Sequence, residues 1–322
     1  MMIKDAGTIN RFREAYCIVD IGRQAVFDAL KDGGYRGMTE TGIAGFQKRN
    51  PGRRAADGGR MAHRIKRRDQ LKPINCGSIQ IPVLAAGKGW LVVNKPAGIT
   101  VHNKPGMDLC SFALTHVKNE TAEKGQIDID PDFGVNPVHR LDKETSGIVF
   151  LAASREMFRF FSNQFQSRRV IKRYTAILHG LLEKPEGNAL WETWRWPLAN
   201  TAGGRVNPEG SGRRQHSETR YRILDHSAHY TMVEIEILSG RTHQIRRHAK
   251  LSGHPVVGDT RYGSTRATNY LKRNFAFGRL ALHARALTLR LPGGKDPETI
   301  ETPSIPGQML ELFENDHAAL EL

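Results

Sequence analysis

The sequence predicts a domain that mixes helices and strands, and three observations carry that reading. The apolar run Ile148-Val149-Phe150-Leu151-Ala152-Ala153 is short and follows Gly147, as a buried strand does. Residues 170–178 and 230–238 alternate with a period of two, the signature of strands with two unlike faces. Between the first two of these segments, Met157, Phe161 and Phe165 recur every four residues with Phe158 alongside, which predicts a helix over 155–167 with an aromatic core face.

The chain has 322 residues, 39% hydrophobic and 25% charged, enough for one large or two modest domains. Its net charge of +15 points to a polyanionic partner, nucleic acid before an anionic membrane surface. Cys17, Cys76 and Cys110 are odd in number and lack CxxC spacing, so they read as free thiols of a reducing compartment. No apolar run is long enough to span a membrane, and the N-terminus lacks an apolar signal core. The cytoplasm is the expected location.

In chain order, Ile18, Ile21 and Ala25 predict an amphipathic helix over 10–32, stopped by Gly33-Gly34. Residues 1–72 hold 16 Lys/Arg against 8 Asp/Glu, so less than a quarter of the chain carries about half the net charge. Residues 1–75 are therefore expected to form a basic, partly disordered extension that holds phosphates without base selectivity. The ordered domain is expected over 79–300. Its first strand, Leu91-Val92-Val93, closes in the turn Lys95-Pro96-Ala97-Gly98.

A helix is expected near 107–118, an irregular acidic stretch at 127–132, and a loop or irregular hairpin over 181–217. Strands are expected at 219–224 and 230–238. Thr242 is the expected N-cap of a helix that Gly253 ends. The strand 280–291 changes phase near His283-Ala284, which requires a bulge or kink. Residues 301–322 read as a helical tail around Met309, Leu310, Leu312 and Phe313.

The chemistry concentrates in Val138-His139-Arg140-Leu141-Asp142-Lys143-Glu144-Thr145-Ser146-Gly147, a polar turn at the entrance of a buried strand. Arg140 and Lys143 flank Asp142 and favour its ionised form, suited to a nucleophile, a general base or an ion-pair strut. On the strand 170–178, Lys172 and Tyr174 interrupt an otherwise apolar face. His243, His248 and His254 lack the spacing of a helical zinc pair, so no metal is expected.

His139-Arg140-Leu141-Asp142-x-x-Thr145-Ser146-Gly147 resembles the catalytic signature of the RluA family of RNA pseudouridine synthases. Four further landmarks are similar to that family, in order: Lys95-Pro96-Ala97-Gly98, Lys172-x-Tyr174, Gly240-Arg241-Thr242-His243-Gln244-Ile245-Arg246-x-His248, and Leu282-His283-Ala284. Gly253 to Asp259 and Tyr262-Gly263 match as well. Arg214-Gln215-His216-Ser217-Glu218-Thr219 departs from the family's Gly-Lys-x-Ala-x-Thr, which bears on substrate contacts there.

The resemblance covers roughly 80–292. It implies an α+β fold around a curved, mixed but mostly antiparallel sheet with flanking helices and an RNA cleft. It implies isomerisation of uridine in ribosomal or transfer RNA after base flipping, with no cofactor and no obligatory protein partner, by a monomer. Asp142, Tyr174 and Arg246 are the implied catalytic residues, with Arg246 as a bidentate partner of Asp142. His139, Arg140, Lys172, Arg241 and His243 are the implied RNA contacts. The alternative is a non-catalytic RNA-binding or ribosome-assembly protein on the same fold.

Overall fold

The computed structural model describes residues 66–67, 71–124, 127, 129–183, 190–237 and 240–317. The helix expected over 10–32 and most of the basic extension lie outside them. The described sheet begins upstream of residue 79. Strand β1 (Lys66–Arg67) pairs with β4 (Val83–Gly87), and β2 (Ile74–Cys76) pairs with β3 (Ile79–Ile81). The hairpin buries Ile74 and Ile81 opposite one another, in a segment too short for its alternation to be read.

Strands β5 (Trp90–Lys95), β6 (Asn136–Pro137) and β7 (Ser146–Ala152) follow, then β8 (Ile171–His179), β9 (Glu192–Trp194), β10 (Leu198–Thr201) and β11 (Ser211–Gln215). Next come β12 (Thr219–His226), β13 (Tyr230–Ile237), β14 (Leu282–Arg290) and β15 (Pro297–Glu301). The main sheet has 11 strands in the order β1-β4-β5-β7-β14-β8-β13-β12-β9, with β15 beside β14 and β6 beside β7. Strands β10 and β11 form a separate hairpin within the irregular region expected over 181–217. Among the described residues, no helix is long and apolar enough to cross a membrane.

The apolar run after Gly147 is continuous because both faces of β7 are covered. Val149 and Leu151 join Leu91, Val93 and the helix α1 (Leu109–Lys124) on one side. Ile148, Phe150 and Ala152 join Trp90, Met157 and Phe161 on the other, under α2 (Arg155–Gln166). Burying each of the larger side chains stabilises the domain by roughly 1.5–3 kcal/mol. Asp108 starts α1 by accepting the Ser111 amide at 2.8 Å, and Ser154 starts α2 by accepting that of Met157 at 3.3 Å. The aromatic stripe of α2 is core, as its spacing predicts.

One contact in the main sheet is parallel. Ser146 and Gly147 of β7 lie against His283 and Ala284 of β14; among the described residues, every other strand pairing is antiparallel. At Gly147, φ is +117°, and a Cβ there would fall 2.2 Å from the carbonyl oxygen of Ala284. Glycine alone permits this close junction. Just beyond it, the β14–β8 register shifts between Ala284 and Ala286, the bulge that the phase change requires. Beyond the bulge, β14 pairs with β15 instead of β7.

In the expected C-terminal tail, a helix is described as α5 (Gly307–His317), after β15 ends at Glu301. Only Ile300 of β15 is buried, so the strand carries no readable alternation. Helices α3 (Gln244–Leu251) and α4 (Thr265–Phe275) lie between β13 and β14.

Candidate active site

The parallel junction sets the site. The turn 142–145 enters β7 there, Tyr174 pairs with Ala284 and Ile235 across neighbouring strands, and α3 follows β13. Between them lies a cleft of about 370 Å³. His139, Arg140, Asp142, Lys172, Tyr174, Arg241, His243 and Arg246 all line it, together with Thr145, Gln244 and Leu282.

Helix α3 starts one residue later than its sequence suggests. Its N-cap is His243, left-handed at φ 53°, with no side-chain cap bond; Thr242 is exposed and caps nothing. Gln244 closes the turn instead, with its amide on the Arg241 carbonyl at 3.0 Å and its Oε1 on the Arg241 amide at 3.1 Å. Gln244 Nε2 also reaches the Glu218 carbonyl and Thr219 Oγ1, tying the helix start to β12. The twist brings His243 Nε2 to 3.8 Å from Asp142 Oδ1, while its Nδ1 lies 3.0 Å from the Tyr262 hydroxyl.

Asp142 and Arg246 meet across 104 residues of chain: Arg246 Nη1 donates to Asp142 Oδ2 at 3.2 Å. The expected bidentate grip on Asp142 is not what forms. Arg246 forks onto Asp259, with Nε on Oδ2 at 2.7 Å and Nη2 on Oδ1 at 2.8 Å. Nη1 remains for Asp142 and, at 3.5 Å, Glu144. The reason is burial. Arg246 is 3% exposed and Asp259 0%, whereas the Asp142 side chain keeps 25% of its surface. A buried guanidinium needs its strongest partner where water is excluded.

Burial raises the Asp259 pKa, but the Arg246 fork and the amides of Arg261 and Tyr262 outweigh it and hold the carboxylate below its usual range. Burial likewise opposes the charge on Arg246, and its bonds to Asp259 and the charge of Asp142 overcome that and raise its pKa. The Arg246 and Arg261 guanidinium carbons both stand over the buried ring of Tyr262, 5.4 and 5.7 Å from its centroid.

Tyr174 is 7% exposed. Burial, then the charge of Asp142, raises its pKa well above the usual tyrosine value. It is a neutral phenol at working pH, suited to stacking and unsuited to acting as a base. Burial lowers Lys172 to about 8. His139 turns inward: its Nε2 accepts the Phe150 amide at 3.1 Å, and its ring stacks on Phe165 at 4.8 Å. Burial pushes its pKa to about 3. It therefore holds the turn as a neutral imidazole.

Two structural supports were not assigned from sequence. One is Asp259. The other is Lys95, fully buried, whose Nζ donates to the carbonyls of Pro96 and Ile99 at 2.9 Å and of Lys143 at 3.2 Å. Burial lowers its pKa to about 7, against the charges of Asp142 and Glu144. Lys95 braces the backbone directly after Asp142. The signal for it was a lysine ending an apolar strand.

The histidines considered for metal go elsewhere. His248 bonds to Thr219 Oγ1 and the Trp196 carbonyl at 2.9 Å, and His254 Nδ1 lies 2.9 Å from the His179 carbonyl oxygen. Among the described residues, no group of three His, Cys, Asp or Glu is placed to hold a metal ion.

Residues 89–251 match a family model described as RNA pseudouridylate synthase. A Bacillus subtilis protein named as an uncharacterized RNA pseudouridine synthase is 32% identical over 228 residues, 70% of this chain and 69% of its own. The ribosomal large subunit pseudouridine synthase C of Vibrio vulnificus is 32% identical, covering 69% of this chain and 64% of its own. The tRNA pseudouridine synthase C of Pectobacterium carotovorum is 32% identical, covering 66% and 56%. Among solved structures, Human RNA Pseudouridylate Synthase Domain Containing 4 shares the fold at a TM-score of 0.53 and 22% identity, covering 74% of this chain and 90% of that one.

Proposed function

Because the chain belongs to the RNA pseudouridylate synthase family, we propose that it isomerises a uridine of ribosomal or transfer RNA to pseudouridine, with Asp142 as the reacting carboxylate. The observation that carries this is the Asp142 carboxylate, partly open to the cleft and anchored from behind by Arg246 at 3.2 Å.

In the reaction, the N1–C1′ bond of uridine breaks and a C5–C1′ bond forms. The C5 proton leaves and N1 ends protonated, so atoms balance with nothing oxidised or hydrolysed. A stacked uridine cannot reach Asp142, so it must flip into the cleft. At about 370 Å³ the cleft falls among small-ligand pockets of roughly 300–1,000 Å³.

Asp142 then attacks the ribose or base, or takes a proton. Arg246 keeps it oriented, and Tyr174 stacks on the flipped uracil. The exposed Arg140 props the vacated stack. Lys172, Arg241 and His243 contact the nucleotide or its neighbours, and His139 orients the turn. Cys76 and Cys110 are free thiols, which supports a reducing cytoplasmic setting.

The test is Asp142→Asn, which removes charge with little change of volume. Pseudouridine formation in RNA from cells lacking the gene should vanish while RNA binding persists. A variant that still formed pseudouridine near the wild-type rate would reject Asp142; a wild-type protein that bound RNA and formed none would leave only a binding role. Mapping pseudouridines with and without the gene identifies the substrate uridine.

A further inference from the structure

Helix α4, Thr265-Arg266-Ala267-Thr268-Asn269-Tyr270-Leu271-Lys272-Arg273-Asn274-Phe275, carries three cations and no acid, and Leu271 is its one buried residue. Arg266, Tyr270 and Arg273 stand at i, i+4 and i+7, on one face of the helix, and all three are exposed. The two cations are about 10 Å apart along the axis by the helix rise. Tyr270 between them is 57% exposed.

A loop reaches the first turn of this helix. Arg205, at the tip of the β10–β11 connection, donates from Nη2 to Thr265 Oγ1 at 2.9 Å. The loop is pinned by two arginines next to the active-site pair. Arg261 donates from Nε to the Gly203 carbonyl and from Nη2 to that of Ala202, both at 2.9 Å. Arg247, fully buried, donates from Nη1 to the Ala199 carbonyl at 3.0 Å and reaches those of Pro208 and Glu209. Arg247 follows Arg246 in α3, and the Arg261 amide holds Asp259. The surface is therefore built on the same residues that fix the cleft.

A basic helix face is most often merely solvated. Here, three features argue otherwise. Among the described residues, no ion pair engages Arg205, Arg266, Lys272 or Arg273, whereas nearby Arg214 is paired with Glu209. An exposed aromatic sits between two unpaired cations. The loop that reaches the start of the helix is held, together with β10, by five arginine hydrogen bonds, one of them buried. Cations flanking an aromatic ring match a nucleic-acid strand, with phosphates at the cations and a base on the ring.

We propose that the Arg266–Tyr270–Arg273 face of α4, with the Arg205 loop tip, is an RNA-docking surface outside the cleft. It takes the phosphates of an unpaired segment flanking the flipped uridine and stacks one base on Tyr270. This rests on the reading that the protein acts on RNA.

The test measures binding of ribosomal RNA from cells lacking the gene to the Asp142→Asn protein, from about 50 to about 200 mM salt. Adding Arg266→Ala and Arg273→Ala should weaken binding about tenfold. It should also lower the log–log salt slope by roughly 1.4–1.8, at 0.7–0.9 for each phosphate no longer neutralised. Tyr270→Ala should weaken binding about fivefold at unchanged slope, as removal of a stacking ring does. With Asp142 intact, both variants should keep wild-type turnover at saturating RNA.

An unchanged slope in the double variant would overturn the proposal. So would an equal change in a Lys118→Ala/Lys295→Ala protein, which removes two exposed cations on α1 and on the β14–β15 turn. Because binding is read separately from turnover, the slope result stands or falls whether or not the wild-type protein forms pseudouridine.

Discussion

Arg246 is forked onto Asp259, at 2.7 and 2.8 Å, and offers Asp142 a single N–H at 3.2 Å. The division suits an active carboxylate. A fork would occupy both oxygens of Asp142, whereas one bond fixes its direction and leaves Oδ1 clear of the guanidinium, 3.8 Å from His243 Nε2. Asp259 is a positioning residue, acting on Asp142 through Arg246.

Asp259→Asn should therefore damage both stability and activity. It leaves a buried guanidinium without its main counter-charge, a change that costs about 3 kcal/mol or more. Urea unfolding should register that loss, and pseudouridine formation should fall at least tenfold at a temperature where the variant is folded. Asp142→Asn, by contrast, should abolish turnover with little loss of stability. Equal stability of Asp259→Asn and wild type would contradict the fork's importance.

Gly147→Ala should disrupt the parallel junction. Its φ of +117° and the 2.2 Å approach to the Ala284 carbonyl leave no room for a methyl group. The expected loss exceeds about 2 kcal/mol, from strain plus separation of β7 and β14. Thermal melting checks this, and an unshifted transition would mean that the junction yields cheaply.

Acid should destabilise the fold before most carboxylates titrate. His248 and His283 are 0% and 1% exposed, and burial is the main cause lowering their pKa values to about 4 and about 3. Both stay neutral in the fold, while the unfolded chain takes up protons below its ordinary 6.5. Their contribution is fully present above pH 6.5 and is lost as pH falls through that value towards 4. At about 1.4 kcal/mol per pH unit per histidine, these two alone should lower stability by about 2.5 kcal/mol between pH 7 and about 5.5. Urea titrations at the two pH values measure it; equal midpoints would refute the linkage.

Truncation should separate the basic extension from the sheet. Removing residues 1–65 deletes 12 Lys/Arg and 7 Asp/Glu while sparing β1, which a cut at residue 72 would remove. RNA binding should weaken at low salt and its salt slope should flatten, by about 0.9 for each phosphate that the segment had neutralised. An unchanged slope would mean that the segment touches no phosphate.

Several elements were legible because their cause is local. The run 148–153 announced a buried strand, the four-residue recurrence of Met157, Phe161 and Phe165 a helix, and the phase change near Ala284 a bulge. Other features were not. Strand β15 buries only Ile300, the hairpin β2–β3 is too short for its alternation to be read, and Thr242 looks like a helix cap but leaves that place to a left-handed His243.

By itself, the sequence determined the polar turn around Asp142, the strand behind it, the excess of positive charge and the residues that gather at the cleft. The first three follow from side-chain chemistry and spacing within a few residues; the set that gathers at the cleft was read from the resemblance of five short motifs to a known family. Only the tertiary structure decided which carboxylate receives the Arg246 fork, that β7 and β14 meet in parallel at Gly147, and that Arg247 and Arg261 pin a distant loop beside the site. Those choices depend on distance and burial between segments tens to hundreds of residues apart, and linear spacing encodes neither.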